Sequence, residues 1–258
     1  MEKEGTQGAY HHDVTQIQEI IEKSENFVFF TGAGISRESG IPTFRDKDGL
    51  WKKYDPEKLA SYSAFISNPE LVWDFFYSRQ RLVCKAACND AHTAIGRFEN
   101  TRHKRSHVIT QNIDRLHQRG GSQNVVELHG NIFGMVCIDC GKKEQFDYSN
   151  FFNKFNEEKI PICPACNNIL KPDVVLFEEQ LPQDAWIQAV RLSSECDIMF
   201  IIGTSLSVSP ANTLPYCALK NRAVLVEINP NTTEMTSLMD FSIRESASKI
   251  LTKILDVN

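Results

Sequence analysis

Residues 27–45, FVFFTGAGISRESGIPTFR, constrain the fold of this chain more than any other stretch. The first five, Phe27 to Thr31, are apolar or β-branched without polar alternation, the pattern of a strand buried on both faces. The chain then turns through Gly32-Ala33-Gly34. Without a Cβ, the glycines let the backbone take positive φ and bring its N–H groups close to a ligand. A helix is expected after the turn, with its positive end facing the same place. Strand, glycine turn and helix together predict a phosphate site. The third glycine of the usual dinucleotide pattern is missing, because Arg37 stands there.

The rest of the chain supplies matching strands. Residues 107–110, 125–128, 174–177, 197–202 and 223–228 read as buried strands, and helical or turn-rich stretches separate most of them. Residues 14–24, 69–85 and 91–98 have apolar residues at helical spacing, and His92 reads as a packing residue in the last of these. The alternation predicts an α/β fold with a Rossmann-like, doubly wound parallel sheet. In such a sheet ligands bind outside the carboxyl ends of the strands. Those ends carry Gly32-Ala33-Gly34, Gln111-Asn112-Ile113-Asp114, His129-Gly130, Gly203-Thr204-Ser205 and Asn229-Pro230. The amide of Asn112 and the carboxyl of Asp114 suit a carboxamide and ribose hydroxyls, although Asp114 could equally cap the next helix. His129 is a candidate base, because an unperturbed imidazole titrates near pH ~6.5.

Four of the eight cysteines form two pairs, Cys137-x-x-Cys140 and Cys163-x-x-Cys166, with 22 residues between them. This is the ribbon spacing for tetrahedral Zn²⁺, with Zn–S of about 2.3 Å. Gly141 and Asn167 follow the two pairs, and both residue types accept the positive φ that such knuckles require. Four thiolates close the coordination shell, so the zinc is expected to be structural, one ion per chain. It would stabilise a region too small to bury a core of its own. Cys84, Cys88, Cys196 and Cys217 lie in apolar stretches and read as small hydrophobes.

At 258 residues, 41% hydrophobic and 24% charged, the chain has an ordinary globular composition. A net charge of −5 argues against nucleic acid or an anionic membrane as a partner. The one basic run, residues 102–105, reads as a solvated loop. No apolar run reaches the ~18 residues of a membrane span. Residues 1–15 resemble neither a secretory signal nor a transit peptide. A reduced compartment is expected: the cytoplasm, or the nucleus in a eukaryote, and not secretion.

The order of motifs resembles the sirtuins, the NAD-dependent protein deacylases. GAGIS, SGIP and FR in residues 32–45 are followed by TQNID with LH at 110–117. Then come HG at 129–130, the four cysteines, VVLFEE at 174–179, GTS at 203–205 and Asn229. The resemblance covers about residues 15 to 255 and implies NAD as co-substrate and an acylated-lysine protein or peptide as substrate. It divides the chain into a Rossmann-like NAD-binding domain (14–45, 91–131 and 172–258), a helical insertion with a cofactor-binding loop (46–90), and a small zinc-binding domain (132–171).

Residue by residue, the resemblance implies that Ala33, Gly34 and Ser205 hold the pyrophosphate, and that Gly203, Thr204 and Asn229 lie along the adenosine. Ile41, Asn112 and Asp114 would form the nicotinamide pocket. Phe44 would shield the reactive ribose carbon, Arg45 would sit on the loop beside it, and Gln111 would contact the ribose. Gly32, Ser36, Ile113 and Ala247 complete the cofactor set. His129 would be the general base, with Asn112 its catalytic companion. In the family's reaction the acyl oxygen attacks the ribose carbon and nicotinamide leaves. His129 then takes a proton from the ribose hydroxyls, and O-acyl-ADP-ribose and free lysine result.

Val174, Val175, Phe177 and Glu178 would meet the substrate peptide, which adds to this segment as a short strand. Here the sequence departs from the family, with Glu178 where the family has glycine. Residue 178 is expected as extended backbone, with Glu178 and Glu179 favouring basic residues around the target lysine. Members that remove acidic acyl groups carry a tyrosine and, three residues on, an arginine; Phe76 and Arg79 keep half of that pair. Deacetylation is therefore the expected activity. A desuccinylase-type deacylase, a mono-ADP-ribosyltransferase and a non-catalytic NAD-sensing module are the alternatives.

Overall fold

The computed structural model describes residues 4–43, 55–102, 104–145 and 160–256. The strands among them are β1 (Asn26–Thr31), β2 (Arg105–Thr110), β3 (Val125–Glu127), β4 (Gly130–Cys137), β5 (Lys143–Gln145), β6 (Leu170–Val174), β7 (Ile198–Ile202), β8 (Val224–Ile228) and β9 (Phe241–Ile243). The chain divides into two compact units. Residues 1–40, 87–128 and 184–258 form the first, and residues 41–86 and 129–183 the second. The second thus holds described parts of both the expected insertion and the expected zinc region, together with residues 172–183.

The first unit is built on a six-stranded sheet of order β3-β2-β1-β7-β8-β9, parallel throughout. β1 lies between β2 and β7, so Phe29 is flanked by Val108 and Phe200. Alternate side chains of β1 enter two cores. Phe27 and Phe29 pack with Phe98 and with Ile17, Ile95 and Leu251, from the helices Asp90–Thr101, Glu4–Lys23 and Ala247–Ile254. Val28 and Phe30 pack with Leu192 and Leu214, from Gln183–Glu195 and Leu214–Lys220. Helices on both faces explain why the strand has no polar alternation. The strand order reverses between β1 and β7, and in a doubly wound sheet that reversal opens the ligand crevice at the carboxyl ends.

Several expectations change. The helix expected over 14–24 begins at Glu4, and the one expected at 91–98 spans Asp90–Thr101. The basic run is not simply solvated: Lys104 donates to the carbonyls of Ile21, Glu22 and Ser24, closing the end of the first helix. The short strand β9 was not foreseen. Residues 174–177 were expected as a strand of the parallel sheet, but only Val174 is in a strand, β6, which belongs to the second unit and runs antiparallel to β4. An apolar run shows that a segment is buried without showing which sheet buries it.

In the second unit β5-β4-β6 form an antiparallel sheet. The helix Pro69–Lys85 starts as its sequence suggests, with Asn68 accepting from the Leu71 N–H and proline in the first turn. It is anchored to the sheet by Trp73 Nε1, which donates to Leu170 O at 2.9 Å, and by Gln80 Nε2, which donates to Ile132 O at 2.7 Å. Among the described residues no helix is long and apolar enough to cross a membrane.

Candidate active site

At the carboxyl edge of the first unit's sheet, the turn after β1 meets the end of β7 backbone to backbone. The Gly32 N–H donates to Ile202 O at 3.0 Å, and the Gly34 N–H to Gly203 O at 2.8 Å. A Cβ on Gly34 would lie 2.7 Å from Gly203 Cα, and Gly203 itself has φ of 59°. These glycines are therefore fixed by sterics. The helix expected after the turn differs in kind: Ala33–Ser39 is a 3₁₀ helix of seven residues, not an α-helix, and it ends at Gly40 with φ of 83°. The Gly32 and Gly34 N–H groups are both spent on carbonyls at the end of β7, so the turn is pinned to that strand end by its own backbone.

Beneath the turn lies a buried polar cluster. The Ser36 hydroxyl donates to Asp114 Oδ2 at 2.7 Å, and Asn112 Nδ2 donates to Gly32 O at 3.1 Å and to Ser36 Oγ at 3.3 Å. Asp114 Oδ1 accepts the Leu116 N–H at 2.9 Å, so this residue satisfies the first N–H of the helix Leu116–Arg119, whose cap position is Arg115, and also joins the cluster. Burial raises its pKa above the usual carboxylate range, opposed by the Leu116 N–H and the Ser36 hydroxyl. His92 lies 3.5 Å from Ser36 Oγ and makes an edge contact with His117, ring centroids 5.0 Å apart. It is the packing residue expected, and also part of the Asn89 capping box. Burial, aided by Arg119, lowers its pKa to about 4, and burial pushes that of His117 well below its ordinary value. His117 Nε2 meets Thr31 Oγ1 at 2.9 Å, and its Nδ1 is buried without a hydrogen-bond partner. His117 belongs to the LH pair that the sequence marks at 116–117 without a role, and Thr31 reads there only as the end of the first strand.

Farther along the edge, Gln111 Nε2 donates to Thr204 Oγ1 and Asn229 Nδ2 to Thr204 O, each at 2.9 Å. Ser205 is exposed, Ala33 and Ile113 are half-buried, and Ala247 is buried at the start of its helix. In this unit the structure therefore brings the ends of β1, β2, β7 and β8 to one edge. Phe44 and Arg45 lie outside the described residues.

The second unit carries His129 and Ile41, both half-buried. His129 precedes β4, and its carbonyl accepts the Val175 N–H at 2.9 Å. Gly130 comes next with φ of 69°, where a Cβ would lie 2.0 Å from Asp173 O. The histidine's backbone is thus clamped to the segment expected to meet substrate. In that segment Val174 and Leu176 are buried and Phe177 is 43% exposed. The Phe177 N–H donates to Ala60 O, and its carbonyl accepts from the Tyr62 N–H, so its backbone is already paired.

Glu178 corrects the sequence reading. Its φ is 78°, the left-handed region that the family glycine occupies freely, not extended backbone. Its carboxylate accepts from the Ser63 N–H at 2.9 Å and the Ser63 hydroxyl at 2.8 Å, at the start of the helix Tyr62–Ser67. Glu179 accepts from Lys171 Nζ and the Leu176 N–H. Both carboxylates are engaged within the protein, which removes the basis for a preference for basic flanking residues. Glu178→Ala keeps the strain and loses the Ser63 bonds, at about 1–2 kcal/mol. Glu178→Gly loses the same bonds but relieves about 1 kcal/mol of strain. The glycine variant should therefore melt above the alanine variant in calorimetry; equal melting temperatures would show that residue 178 stores no strain.

Phe76 is buried in the Pro69–Lys85 helix, and the half-buried Arg79 lies with its guanidinium 5.8 Å from the centre of the Phe75 ring. Arg79 is therefore not a solvated helix residue.

The four cysteines converge. The Sγ atoms of Cys137 and Cys166 lie 3.4 Å apart, those of Cys140 and Cys163 lie 3.7 Å apart, and all four fall within 4.8 Å. A ZnS₄ tetrahedron has edges of about 3.8 Å, whereas a disulfide would need about 2.05 Å. Gly141 and Asn167 have φ of 69° and 61°, as the knuckles require, and their N–H groups bond back to Cys137 O and Cys163 O. The donor set fits Zn²⁺ with no position left for substrate.

A sequence profile of the Sir2 family matches residues 32–210. A protein of Pyrococcus abyssi named NAD-dependent protein deacylase is 41% identical over 242 residues, 94% of this chain and 96% of that protein. The crystal structure of a Sir2 homologue with NAD superposes with a TM-score of 0.86 at 37% identity, covering 94% of this chain and 92% of the other. A Sir2 structure holding a deacetylated peptide and 3′-O-acetyl-ADP-ribose has a TM-score of 0.85 at 34% identity, covering 94% and 97%. With its glycine turn, buried Ser36–Asn112–Asp114 cluster and four-cysteine centre in place, the chain belongs to the Sir2 family.

Proposed function

We propose that this chain is an NAD-dependent protein lysine deacylase that acts chiefly on acetyl-lysine. The observation that carries the reading is the buried Ser36–Asn112–Asp114 cluster directly under the glycine turn, in a chain whose relatives bear that activity in their names. Bound NAD supplies an activated ribosyl carbon with nicotinamide as its leaving group. Gly32, Ala33, Gly34 and Ser205 hold its pyrophosphate; Gly203, Thr204, Asn229 and Ala247 line the adenosine. Gln111 meets the nicotinamide ribose, and Ile41, Ser36, Asn112, Ile113 and Asp114 bind the carboxamide. The hydrogen bonds among Ser36, Asn112 and Asp114 fix these three side chains before the ligand arrives, so little ordering of them remains at binding. His129 receives the proton from a ribose hydroxyl, on a backbone held by the Val175 bond.

The substrate is an acylated-lysine peptide that docks on Val174, Val175, Phe177 and Glu178, with Phe76 and Arg79 at the acyl group. Nucleic acid and membranes are not partners, and the unpaired cysteines suit a reduced compartment such as the cytoplasm. Arg79 could pair with a dicarboxylic acyl chain, but Phe76 lacks the hydroxyl that a tyrosine would add, a bond of about 1 kcal/mol. The test is NAD-dependent turnover of acetyl-, succinyl- and long-chain-acyl-lysine peptides. Acetyl peptides should show the highest kcat/KM, with residual succinyl turnover that Arg79→Met removes. Faster turnover of succinyl than of acetyl peptides would contradict the assignment.

A further inference from the structure

Glu227 is the one charge in the apolar strand β8, VLVEI, and it is fully buried. A buried carboxylate persists only when it is paired and hydrogen-bonded. Arg244, directly after β9, supplies the cation through Nη2, while the hydroxyls of Thr233 and Thr236 donate to the same carboxylate at 2.6 and 2.9 Å. The other prong of the guanidinium, Nη1, donates to the carbonyls of Asn229 at 3.1 Å and Asn231 at 2.9 Å. Arg244 therefore fastens the turn that leaves β8 to a fixed buried anion. The turn is tied on its other side as well, because the Asn229 side chain donates to Thr204 O and Thr204 Oγ1 accepts from Gln111. One hydrogen-bonded row thus crosses the carboxyl ends of β2, β7 and β8 and terminates on Arg244. The planar fork of an arginine can serve the carboxylate and two carbonyls at once; a lysine ammonium, a point donor, cannot reproduce that geometry.

We propose that Arg244 is a positioning residue for the adenosine end of bound NAD: anchored by Glu227, it holds the 229–231 turn in its ligand-binding shape. The inference rests on the reading that Asn229 borders the cofactor. Arg244→Lys keeps a positive charge beside Glu227 and gives up the second prong. In this variant the Kd for ADP-ribose, measured by calorimetry, and the KM for NAD should both rise on the order of ten-fold. kcat and the KM for acyl peptide, measured well below the variant's own melting temperature, should stay within about twofold. Should the lysine variant fold poorly, the double variant Glu227→Gln/Arg244→Gln carries no buried charge and should show the same split. Asn229→Ala is the control. If Asn229→Ala weakens ADP-ribose binding while Arg244→Lys does not, the role of Arg244 is overturned. If Asn229→Ala leaves ADP-ribose binding unchanged, the cofactor reading of Asn229 fails, and the inference with it. A parallel rise in peptide KM or a fall in kcat in the Arg244 variants also overturns it, as a general loosening of the fold.

Discussion

His129→Ala should lose deacylation by at least two orders of magnitude in kcat while the fold and ADP-ribose binding persist. A positioned general base is worth typically 10²–10⁴-fold, and the side chain is all that the substitution removes. The backbone contact that sets this part of the chain, Val175 N–H to His129 O, survives in alanine. So does the left-handed Gly130 beside it. The variant should therefore melt close to the parent and bind ADP-ribose with unchanged Kd, so that the loss falls on kcat and not on binding. A well-folded variant that still forms O-acetyl-ADP-ribose at a near-normal rate would remove His129 from the mechanism.

The second large effect concerns the metal. Purified protein should contain one zinc per chain, and Cys137→Ala should lose both the ion and solubility. In zinc-finger peptides a structural zinc site is worth about 10–16 kcal/mol of apparent binding energy near neutral pH, and that binding energy is folding energy. Here one cysteine ends a strand and the other three lie in the turns beside it and before β6. β4 ends at Cys137, and in the second knuckle the Cys163 N–H donates to Asn168 O while its carbonyl accepts from the Asn167 N–H. β4 and β6 also carry His129 and Val174–Val175 at their other ends. Loss of the ion should therefore reach the proposed base and substrate segment through the same two strands. Elemental analysis showing active protein without zinc would contradict this account.

The sequence made legible whatever is decided locally. The Pro69–Lys85 helix was bounded correctly because Asn68 and Pro69 mark its start and a broad apolar face runs through it. The central strands were visible because burial on both faces leaves unbroken apolar runs. The metal centre was visible because the cysteine spacing, with Gly141 and Asn167, encodes its geometry. Features decided by distant partners were not visible. Val174–Phe177 resembles a parallel-sheet strand, yet its pairing with β4 is set by a partner some forty residues earlier in the chain. The turn after β1 is likewise packed against a distant partner, with Gly34 against Gly203, which the local sequence does not show. The left-handed Glu178 was misread because its compensation comes from Ser63, which precedes it by 115 positions. Glu227 and Arg244 were missed although a signal existed: a lone carboxylate inside an apolar strand demands a buried cation somewhere.

A product balance in one reaction of purified protein, NAD and an acetyl-lysine peptide decides whether the acyl group passes from lysine to ADP-ribose. One nicotinamide and one O-acetyl-ADP-ribose should form for each lysine freed, with no turnover without NAD. Nicotinamide released together with free ADP-ribose or an ADP-ribosylated peptide, with the acetyl group left on the lysine, would contradict that transfer.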